Sequence, residues 1–215
     1  MLRTRVMPCL LIKNGGLVKT VKFKHERNVG DLLNAVRIYN RKEVDELVVF
    51  DISRTSAEKT IDFDLIKKMA SECFMPVCYG GGVKTLEDFK TLFTLGLEKV
   101  SVSSLLFDNP AVVQKAVSIY GSQSIVATID LDKSFFSASY VIKTHSGRVK
   151  RAISPSDVVA YCEELGVGEI IVNNISREGT WEGFDIDLLK HLTANAAVPL
   201  VAVGGAGSLG DIRAA

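Results

Sequence analysis

The chain has 215 residues, of which 47% are hydrophobic and 24% charged, and its 26 Lys and Arg nearly balance its 25 Asp and Glu. Binders of nucleic acid or anionic membranes carry a basic excess, so the formal charge of +1 argues against both classes. The apolar content argues against intrinsic disorder, and no apolar run approaches the roughly 20 residues that cross a bilayer.

The cysteines and histidines do not form a metal-binding pattern. Cys73 and Cys78 have four residues between them, but no second pair completes a zinc site. His25, His145 and His191 have no neighbours at ligand spacing. The first residues are too briefly apolar for a signal peptide. We therefore expect reduced thiols, surface or loop histidines, a cytoplasmic protein, and neither a metal ion nor a cofactor.

Short apolar runs alternate with amphipathic segments along the chain. The runs contain Val, Ile and Leu with little polar alternation, which is typical of strands covered on both faces in a parallel sheet. An alternation sustained seven times predicts a parallel α/β fold. The predicted strands are 5–12, 46–51, 75–79, 99–103, 124–129, 169–173 and 199–203. The predicted helices are 29–40, 62–73, 85–94, 110–120, 155–165 and 185–194.

Local signals refine this pattern at two kinds of position. Asn109 and Ser154 each precede a proline, which predicts that both are helix N-caps. The segments 137–143 and 148–152 flank His145-Ser146-Gly147, which predicts a small hairpin after the fifth strand.

The chain also repeats itself. Asp51-Ile52-Ser53-Arg54 returns as Asn174-Ile175-Ser176-Arg177, and Gly81-Gly82 returns as Gly204-Gly205 at the same offset of 123 residues. Two copies of about four β-α units predict a (β/α)8 TIM barrel made from two half-barrels. The sequence stops at Ala215, in the seventh helix. We therefore expect residues 1–215 to form a single barrel domain that lacks its eighth β-α unit.

Two glycine runs follow predicted strands, where barrel active sites are built. Residues without side chains let backbone N–H groups approach a phosphate. The duplicated runs, with serines ending the fourth strand, therefore predict two phosphate cradles that hold a substrate with a phosphate at each end. The alternative is that the glycines only make tight turns. The predicted phosphate-binding residues are Gly81, Gly82, Ser103, Ser104, Gly204, Gly205 and Gly207.

Two aspartates also end apolar strands. An acid at such a position is costly unless it is solvated, paired or used. Asp130, after the fifth strand, is our first candidate for a general acid or base, and Asp51, after the second, is the other. The alternative for each is a structural hydrogen bond.

Four charges stand at the opposite ends of strands: Arg5, Glu46, Lys99 and Glu169 each begin one. Charges at this rim normally serve solubility or stability. Two acids and two bases could also form a ring around the lower opening, although their spacing alone does not decide between these alternatives.

These residues resemble the cyclase subunit of imidazole glycerol phosphate synthase, the HisF family, over the whole given sequence. The matching stretches include Arg5-Val6-Met7-Pro8-Cys9-Leu10, Gly80-Gly81-Gly82-Val83 and Arg177-Glu178-Gly179-Thr180. The resemblance implies a (β/α)8 barrel that binds a doubly phosphorylated substrate and receives ammonia from a docked HisH-type glutaminase. It also implies that Arg5, Glu46, Lys99 and Glu169 are the family's ammonia gate, and that Lys19 lies on a mobile first loop.

The resemblance fails at one of two family catalytic aspartates. The strand-five residue matches Asp130, but the strand-one position is Leu11, which cannot transfer a proton. Residues usual in the family are also replaced at Ser103, Asn173 and Ser176. We still predict that Asn173 and Ser176, like Lys19, are substrate-loop residues. An intact gate beside an altered cyclase site resembles paralogues that supply ammonia to a sugar amidotransferase in surface-polysaccharide pathways.

The residues leave four hypotheses open. The first is an ammonia-conducting subunit without complete cyclase chemistry. The second is an active cyclase, which converts ammonia and the ribonucleotide PRFAR to imidazole glycerol phosphate and AICAR. The third is a pure scaffold. The fourth is the related phosphoribosyl isomerase, which also needs an acid at position 11 and does not account for the gate residues.

Overall fold

A computed structural model describes residues 5–53, 60–134, 139–194 and 196–215. The chain divides into two compact units. The first contains Met1–Lys19 and Arg27–Ser101, and the second contains Thr20–Glu26 and Val102–Ala215. No helix in the described ranges is long and apolar enough to cross a membrane.

The first unit is built on a ladder of parallel strands connected by helices. β1 pairs with β4, β4 with β5, and β5 with β6, all in parallel, while β2 runs antiparallel to β1. The β2 and β3 strands continue into the second unit. The elements are β1 Cys9–Lys13, β2 Gly16–Val21, β3 Lys24–Asp31, α1 Leu32–Arg41, β4 Leu47–Asp51, α2 Phe63–Glu72, β5 Val77–Gly80, α3 Leu86–Thr94 and β6 Lys99–Val102.

The second unit repeats this plan with an antiparallel addition. β7, β10 and β11 are parallel neighbours, and β8 and β9 extend the edge of β7 as a hairpin. A 3-10 turn, Ser122–Ser124, precedes β7. The elements are α4 Ser104–Asp108, α5 Pro110–Tyr120, β7 Ile125–Lys133, β8 Tyr140–Thr144, β9 Val149–Arg151, α6 Pro155–Glu164, β10 Glu169–Asn174, α7 Ile186–Thr193, β11 Leu200–Val203 and α8 Leu209–Ala214.

Side-chain caps explain where several helices begin. Asp31 accepts a hydrogen bond from the Asn34 amide at 2.9 Å, and this cap starts α1 at Leu32. Thr85 and Asp88 form a reciprocal capping box at α3, and Ser208 and Asp211 form the same box at α8. The boxes follow the two glycine runs, so the sequence repeat extends to local structure in each unit.

Most predicted elements are confirmed, and the differences are local. The first strand begins at Cys9 rather than at residue 5, and residues 29–31 belong to β3 rather than to the first helix. Ser154 caps α6 as predicted, but Asn109 makes no side-chain cap bond at α5. The hairpin after the fifth strand is confirmed; Ser137, in its predicted first strand, and Arg54, in the repeat, lie outside the described residues.

One placement is corrected at the fourth predicted strand. β6 ends at Val102, so Ser103 precedes helix α4 and Ser104 is its first residue, not the end of a strand. The α4 helix has only five residues and is followed at once by Pro110, the first residue of α5. A segment this short has too few turns for a periodic pattern to reveal it.

Burial keeps two of the thiols protonated. Cys73 and Cys162 are free thiols. Burial raises the pKa of Cys73 to about 11 and that of Cys162 to about 12, with smaller contributions from nearby glutamates. Neither is a thiolate near neutral pH, so neither is suited to act as a nucleophile.

Candidate functional site

The central feature of the second unit is a buried acid paired with an amide. Strands β7 and β10 place Asp130 and Asn173 side by side in register. Asn173 Nδ2 donates to Asp130 Oδ1 at 2.9 Å, and the two residues are 7% and 8% exposed. Burial raises the pKa of Asp130 to about 7, against the opposing effect of the Asn173 hydrogen bond. A carboxyl that titrates near neutral pH is suited to general acid-base catalysis.

The same pair offers an acceptor for a bound molecule. Asn173 Oδ1 is buried and has no hydrogen-bond partner among the described residues. A buried carbonyl oxygen without a donor is costly, and a ligand or a water molecule can satisfy it. Asp130 and Asn173 thus combine a titratable group with a polar contact, and the general acid-base role of Asp130 stays a prediction.

A second aspartate on β7, Asp132, has a lowered rather than a raised pKa. Asp132 lies two residues after Asp130, on the same face of the strand. Lys143 Nζ lies 2.7 Å from Asp132 Oδ2, and Ser176 Oγ donates to Asp132 Oδ1 at 2.8 Å. Burial alone would raise the pKa of Asp132, but the hydrogen bonds from Lys143 and Ser176 and the lysine charge lower it overall. The pKa values of the two aspartates are therefore shifted in opposite directions, the arrangement that separates acid and base roles where two carboxyls share a site.

Sequence reasoning overlooked Asp132 and Lys143. The signal for Asp132 was its two-residue spacing from Asp130, just beyond the predicted strand 124–129, which the structure extends to Lys133. Ser176, predicted in the substrate loop, is positioned by these groups: its hydroxyl donates to Asp132 and accepts from the Lys133 amide at 2.9 Å.

The loop after β10 holds the tip of the β2–β3 hairpin through Glu178. Its Oε1 accepts from Thr20 Oγ1 at 2.8 Å, and its Oε2 accepts from the Phe23 amide at 3.0 Å. The Glu178 carbonyl accepts from the Lys22 amide at 3.0 Å. Lys19, the predicted substrate-loop lysine just before this tip, is exposed on β2.

The glycine runs make the same close backbone approach in each unit. A Cβ on Gly81 would lie 2.4 Å from the Asp51 carbonyl oxygen, and one on Gly204 would lie 2.6 Å from that of Asn174. Both glycines have positive φ, +132° and +98°. This packing excludes any larger residue, so it accounts for Gly81 and Gly204 independently of any ligand.

The remaining glycines differ in what their surroundings allow. Gly82 has positive φ, and a Cβ on Gly205 would lie 2.1 Å from the Gly183 carbonyl oxygen. The Gly207 amide donates to the Asp211 carboxylate at 3.0 Å, within the α8 capping arrangement. Because the Gly207 amide already donates to Asp211, the prediction of phosphate binding at the second glycine run depends on the backbone amides of Gly204 and Gly205.

The other candidates at the strand ends make local contacts. Asp51 is 3% exposed, and its Oδ1 accepts from the Ser53 amide at 3.0 Å and from the Ser53 hydroxyl. Ser104 Oγ accepts from the His145 amide at 3.2 Å. Leu11, in β1, lies in register with Phe50 of β4 and Val18 of β2. No acid takes its place on that strand, which reads CLLIK.

Three of the four predicted gate charges meet in the first unit. Arg5 Nη1 lies 2.8 Å from Glu46 Oε2, and Lys99 Nζ lies 2.9 Å from the same oxygen. Glu46 is 3% exposed, and its Oε1 is buried without a partner among the described residues. The fourth, Glu169, begins β10 of the second unit and is 6% exposed.

Backbone contacts place this ionic cluster at the strand starts. The Leu47 amide, next to Glu46, donates to the Pro76 carbonyl at 2.9 Å, and the Val48 amide donates to Pro8 at the same distance. Lys99 begins β6, in register with Cys78 of β5. The cluster therefore lies at the amino-terminal edge of the first unit's parallel strands, as the sequence predicted.

The described residues contain no group of three or more His, Cys, Asp and Glu side chains that could hold a metal ion. The polar groups at the carboxyl-terminal ends of the second unit's strands include a carboxyl with its amide partner, a hydroxyl and a lysine. Parallel strands connected by helices, with polar groups at both strand ends, define an α/β protein.

Comparisons with known proteins give the family. The family described as "Histidine biosynthesis protein" matches residues 5–215. A Leptospira interrogans protein provisionally named imidazole glycerol phosphate synthase subunit HisF is 46% identical over 213 residues, covering 99% of this chain and 84% of that protein. A Pseudomonas aeruginosa protein provisionally named subunit hisF2 of the same synthase has the same identity and coverage. The chain belongs to the HisF family, which confirms the predicted (β/α)8 barrel fold class.

A further relative is more distant. The imidazole glycerol phosphate synthase subunit HisF of Chlorobaculum parvum is 34% identical over 209 residues, covering 97% of this chain and 82% of that protein.

Proposed function

We propose that this protein is the synthase subunit of a glutamine-dependent amidotransferase. It docks a HisH-type glutaminase and conducts ammonia through a barrel toward a phosphorylated or sugar substrate, as a paralogue serving sugar amidation. The observation that carries the proposal is the ionic cluster on Glu46 combined with Leu11 in place of a carboxylate.

The cluster suits a gate at the ammonia entrance. Arg5 and Lys99 share one oxygen of a nearly buried carboxylate, so a small displacement of either cation changes the charge balance. Partners that lie close together limit the cost of burying these charges. Neutral ammonia can cross an apolar interior that hydrated ions avoid, and the strands of both units contain buried Val, Ile and Leu.

Leu11 argues against complete cyclase chemistry. Asp130 has the burial and pKa of a proton carrier, but a leucine offers neither a proton nor a hydrogen bond. Loss of one general acid or base typically costs about 10²- to 10⁴-fold in rate. The chain therefore retains one half of a two-acid mechanism.

The identities of the relatives agree with a paralogue. Proteins with provisional or numbered names are 37–46% identical to this chain, among them hisF2 of Pseudomonas aeruginosa at 46% and hisF3 of Vibrio vulnificus at 44%. Relatives named HisF without qualification are 34–35% identical. We take the numerals to mark additional copies of the subunit, which are free to serve another acceptor of ammonia.

The second candidate is an active imidazole glycerol phosphate synthase cyclase. The pKa of Asp130, raised to about 7 mainly by burial, favours it, because one group near neutral pH could serve first as acid and then as base. Ammonia and PRFAR would then yield imidazole glycerol phosphate and AICAR.

Cyclisation of PRFAR with added ammonium separates the two candidates. We expect turnover at least about 100-fold below that of a HisF with an aspartate at this position, and a gain on Leu11→Asp. Leu11→Asn is the matched control, since it has the same shape and polarity but no transferable proton. Turnover of the unmodified protein near that of the reference HisF would reject the paralogue proposal.

A further inference from the structure

Two large apolar side chains lie exposed on adjoining segments of the second unit. Trp181, in the loop after β10, is 75% exposed, and Leu209, the first residue of α8, is 74% exposed. A Cβ on Gly207 would lie 2.8 Å from the Trp181 Cβ. Gly207 and Leu209 are two residues apart, so their Cα atoms are at most about 7.6 Å from each other. We call these two side chains the Trp181–Leu209 patch.

Hydrogen bonds after Trp181 fix the loop that presents it. Arg177 Nη1 donates to the Glu182 carbonyl at 2.9 Å, which closes the loop around Trp181. The Gly183 amide donates to the Gly205 carbonyl at 2.8 Å, which joins this loop to the one after β11. An exposed aromatic side chain on an ordered loop loses little conformational entropy when a partner covers it. Such side chains are typical anchors of protein interfaces.

The patch lies at the strand ends where ammonia would leave this protein. β10 ends at Asn174 and β11 at Val203, and the two loops follow directly. The Asp130–Asn173 pair lies at the same carboxyl-terminal ends. Because Leu11 leaves this chain without a complete acid-base pair, the group that accepts ammonia is activated on another protein under the proposed function. That protein has to cover these strand ends, since an active site that is closed to water protects its reactive intermediates.

The charges beside the patch indicate the chemistry of its partner. Glu182 follows Trp181 directly and is exposed. Asp211 lies in the first turn of α8, where the hydrogen bond from the Ser208 hydroxyl is the main reason that its pKa is lowered. Both segments of the patch thus carry a carboxylate, and Arg177 is the basic residue of the first. An apolar centre with an acidic rim fits a partner surface with an apolar pocket and a basic rim.

We propose that the Trp181–Leu209 patch docks the enzyme that carries the ammonia acceptor, through an apolar pocket that basic side chains surround on that enzyme. Trp181 is the anchor, and docking places the acceptor over the carboxyl-terminal strand ends. The proposal rests on the proposed function and adds the surface that the consumer of ammonia binds. It also gives Gly207 a role, because a Cβ there would lie 2.5 Å from the Trp181 carbonyl oxygen.

Trp181 reports its own environment, because it is the only tryptophan in the sequence. The full-length protein made with 5-fluorotryptophan therefore gives one fluorine NMR signal, and tryptophans of an unlabelled partner are silent. We expect this signal to shift on titration with a purified sugar amidotransferase and to saturate, with an affinity that falls as salt screens the rim charges. A HisH-type glutaminase should leave the signal unchanged, because its predicted site is the ionic cluster at the opposite strand ends.

Variants of the patch test whether docking serves ammonia transfer. We expect Trp181→Asn to weaken amidotransferase binding about 30-fold or more, as for an interface anchor, and Leu209→Gln about 5-fold. Asparagine tolerates the φ of +63° at position 181, so the loop is kept. Glutamine-dependent amidation should fall with binding, whereas glutaminase stimulation and amidation from added ammonium should not change. Ile119→Gln, at a 52% exposed position on α5, is the control and should leave all of these measurements unchanged.

The outcomes separate this proposal from the proposed function. An unshifted signal with the amidotransferase, or full binding by Trp181→Asn, overturns the docking site. If the unmodified protein still stimulates the glutaminase, only the docking site is rejected; if it does not, the proposed function fails as well. A signal that depends on the concentration of the protein itself, with dimers in sedimentation, assigns the patch to a second copy. A signal that a dissolved paramagnetic agent does not broaden shows that the chain covers the patch itself, and both results reject the proposal.

Discussion

Asp130 makes the folded protein less stable as pH rises, which is the opposite of the usual effect of an aspartate. Its pKa in the folded state, raised by burial to about 7, exceeds the value of about 3.9 in an unfolded chain. From about pH 4 to 7 the folded protein retains a proton that the unfolded chain has released, so this residue lowers stability as pH rises. We expect Asp130→Asn to gain roughly 2–4 kcal/mol relative to the unmodified protein between pH 5 and 8. Denaturant unfolding at both pH values measures it.

Asp132 provides a control with the opposite sign. Its pKa is lowered in the folded state, so its contribution is present above the unfolded pKa and is lost as pH falls below it. Asp132→Asn should therefore destabilise the protein at neutral pH and matter less in acid. A similar pH response of both variants would contradict the assignment of a proton carrier and an ionised partner.

The sequence indicated Asp130 and Asn173 as separate candidates but not the contact between them, and the reason is separation along the chain. An acid at the end of an apolar strand is visible within a few residues. Its hydrogen-bond partner Asn173 is 43 residues away. Such contacts depend on strand register, which local patterns do not fix. The same holds for Gly81 and Gly204. The sequence shows both glycines, but it does not show which carbonyl each of them approaches.

At the scale of elements, the β2–β3 hairpin was the largest omission. Its β3 strand is exposed throughout, so it lacks the apolar alternation that identifies a strand. Its turn residues Lys22 and Phe23 have φ of +53° and +61°, positions where Asn and Gly are usual. A turn with unsuitable residues gives no sequence signal, and contacts from elsewhere must hold it.

Glu178 supplies those contacts, which makes the hairpin tip testable. Glu178→Ala removes both carboxylate oxygens that accept from Thr20 and Phe23, so both hydrogen bonds are lost. We expect the Phe23 amide to exchange hydrogen about 10-fold faster, since a hydrogen bond to a charged group contributes about 1.5 kcal/mol or more. Glu182→Ala, exposed in the same loop, should leave exchange unchanged. Equal acceleration in both variants would mean that the loop as a whole, and not this carboxylate, holds the tip.

At the scale of the whole molecule, the repeat was the most informative sequence feature. The offset of 123 residues relates Gly81 to Gly204 and Asp51 to Asn174. Gly81 packs against the Asp51 carbonyl in the first unit, as Gly204 packs against the Asn174 carbonyl in the second. The matching capping boxes that follow these glycines support the same duplication. Alternation and repetition therefore predicted the fold class, because both are properties of long segments and tolerate local errors such as the unrecognised α4.

The gate proposal predicts an effect on a second protein. Lys99→Ala removes one of two cations from Glu46, whose other oxygen already lacks a partner among the described residues, so the cluster loses its charge balance. In mixtures with a HisH-type glutaminase, we expect the unmodified protein to raise the rate of glutamine hydrolysis. Lys99→Ala should reduce that stimulation about 5-fold or more, as expected for loss of a coupling between sites.

Lys90→Ala is the matched control, because Lys90 is 65% exposed and its ion pair with Glu87 lies on the surface of α3. Measuring binding to the glutaminase alongside its rate distinguishes lost docking from lost coupling, since a gate variant should bind normally. Full stimulation by Lys99→Ala, or none by the unmodified protein, would leave the cluster as a stabilising feature of the strand starts. That result would favour a scaffold, because a barrel that neither activates a glutaminase nor depends on Lys99 has no use for a regulated entrance.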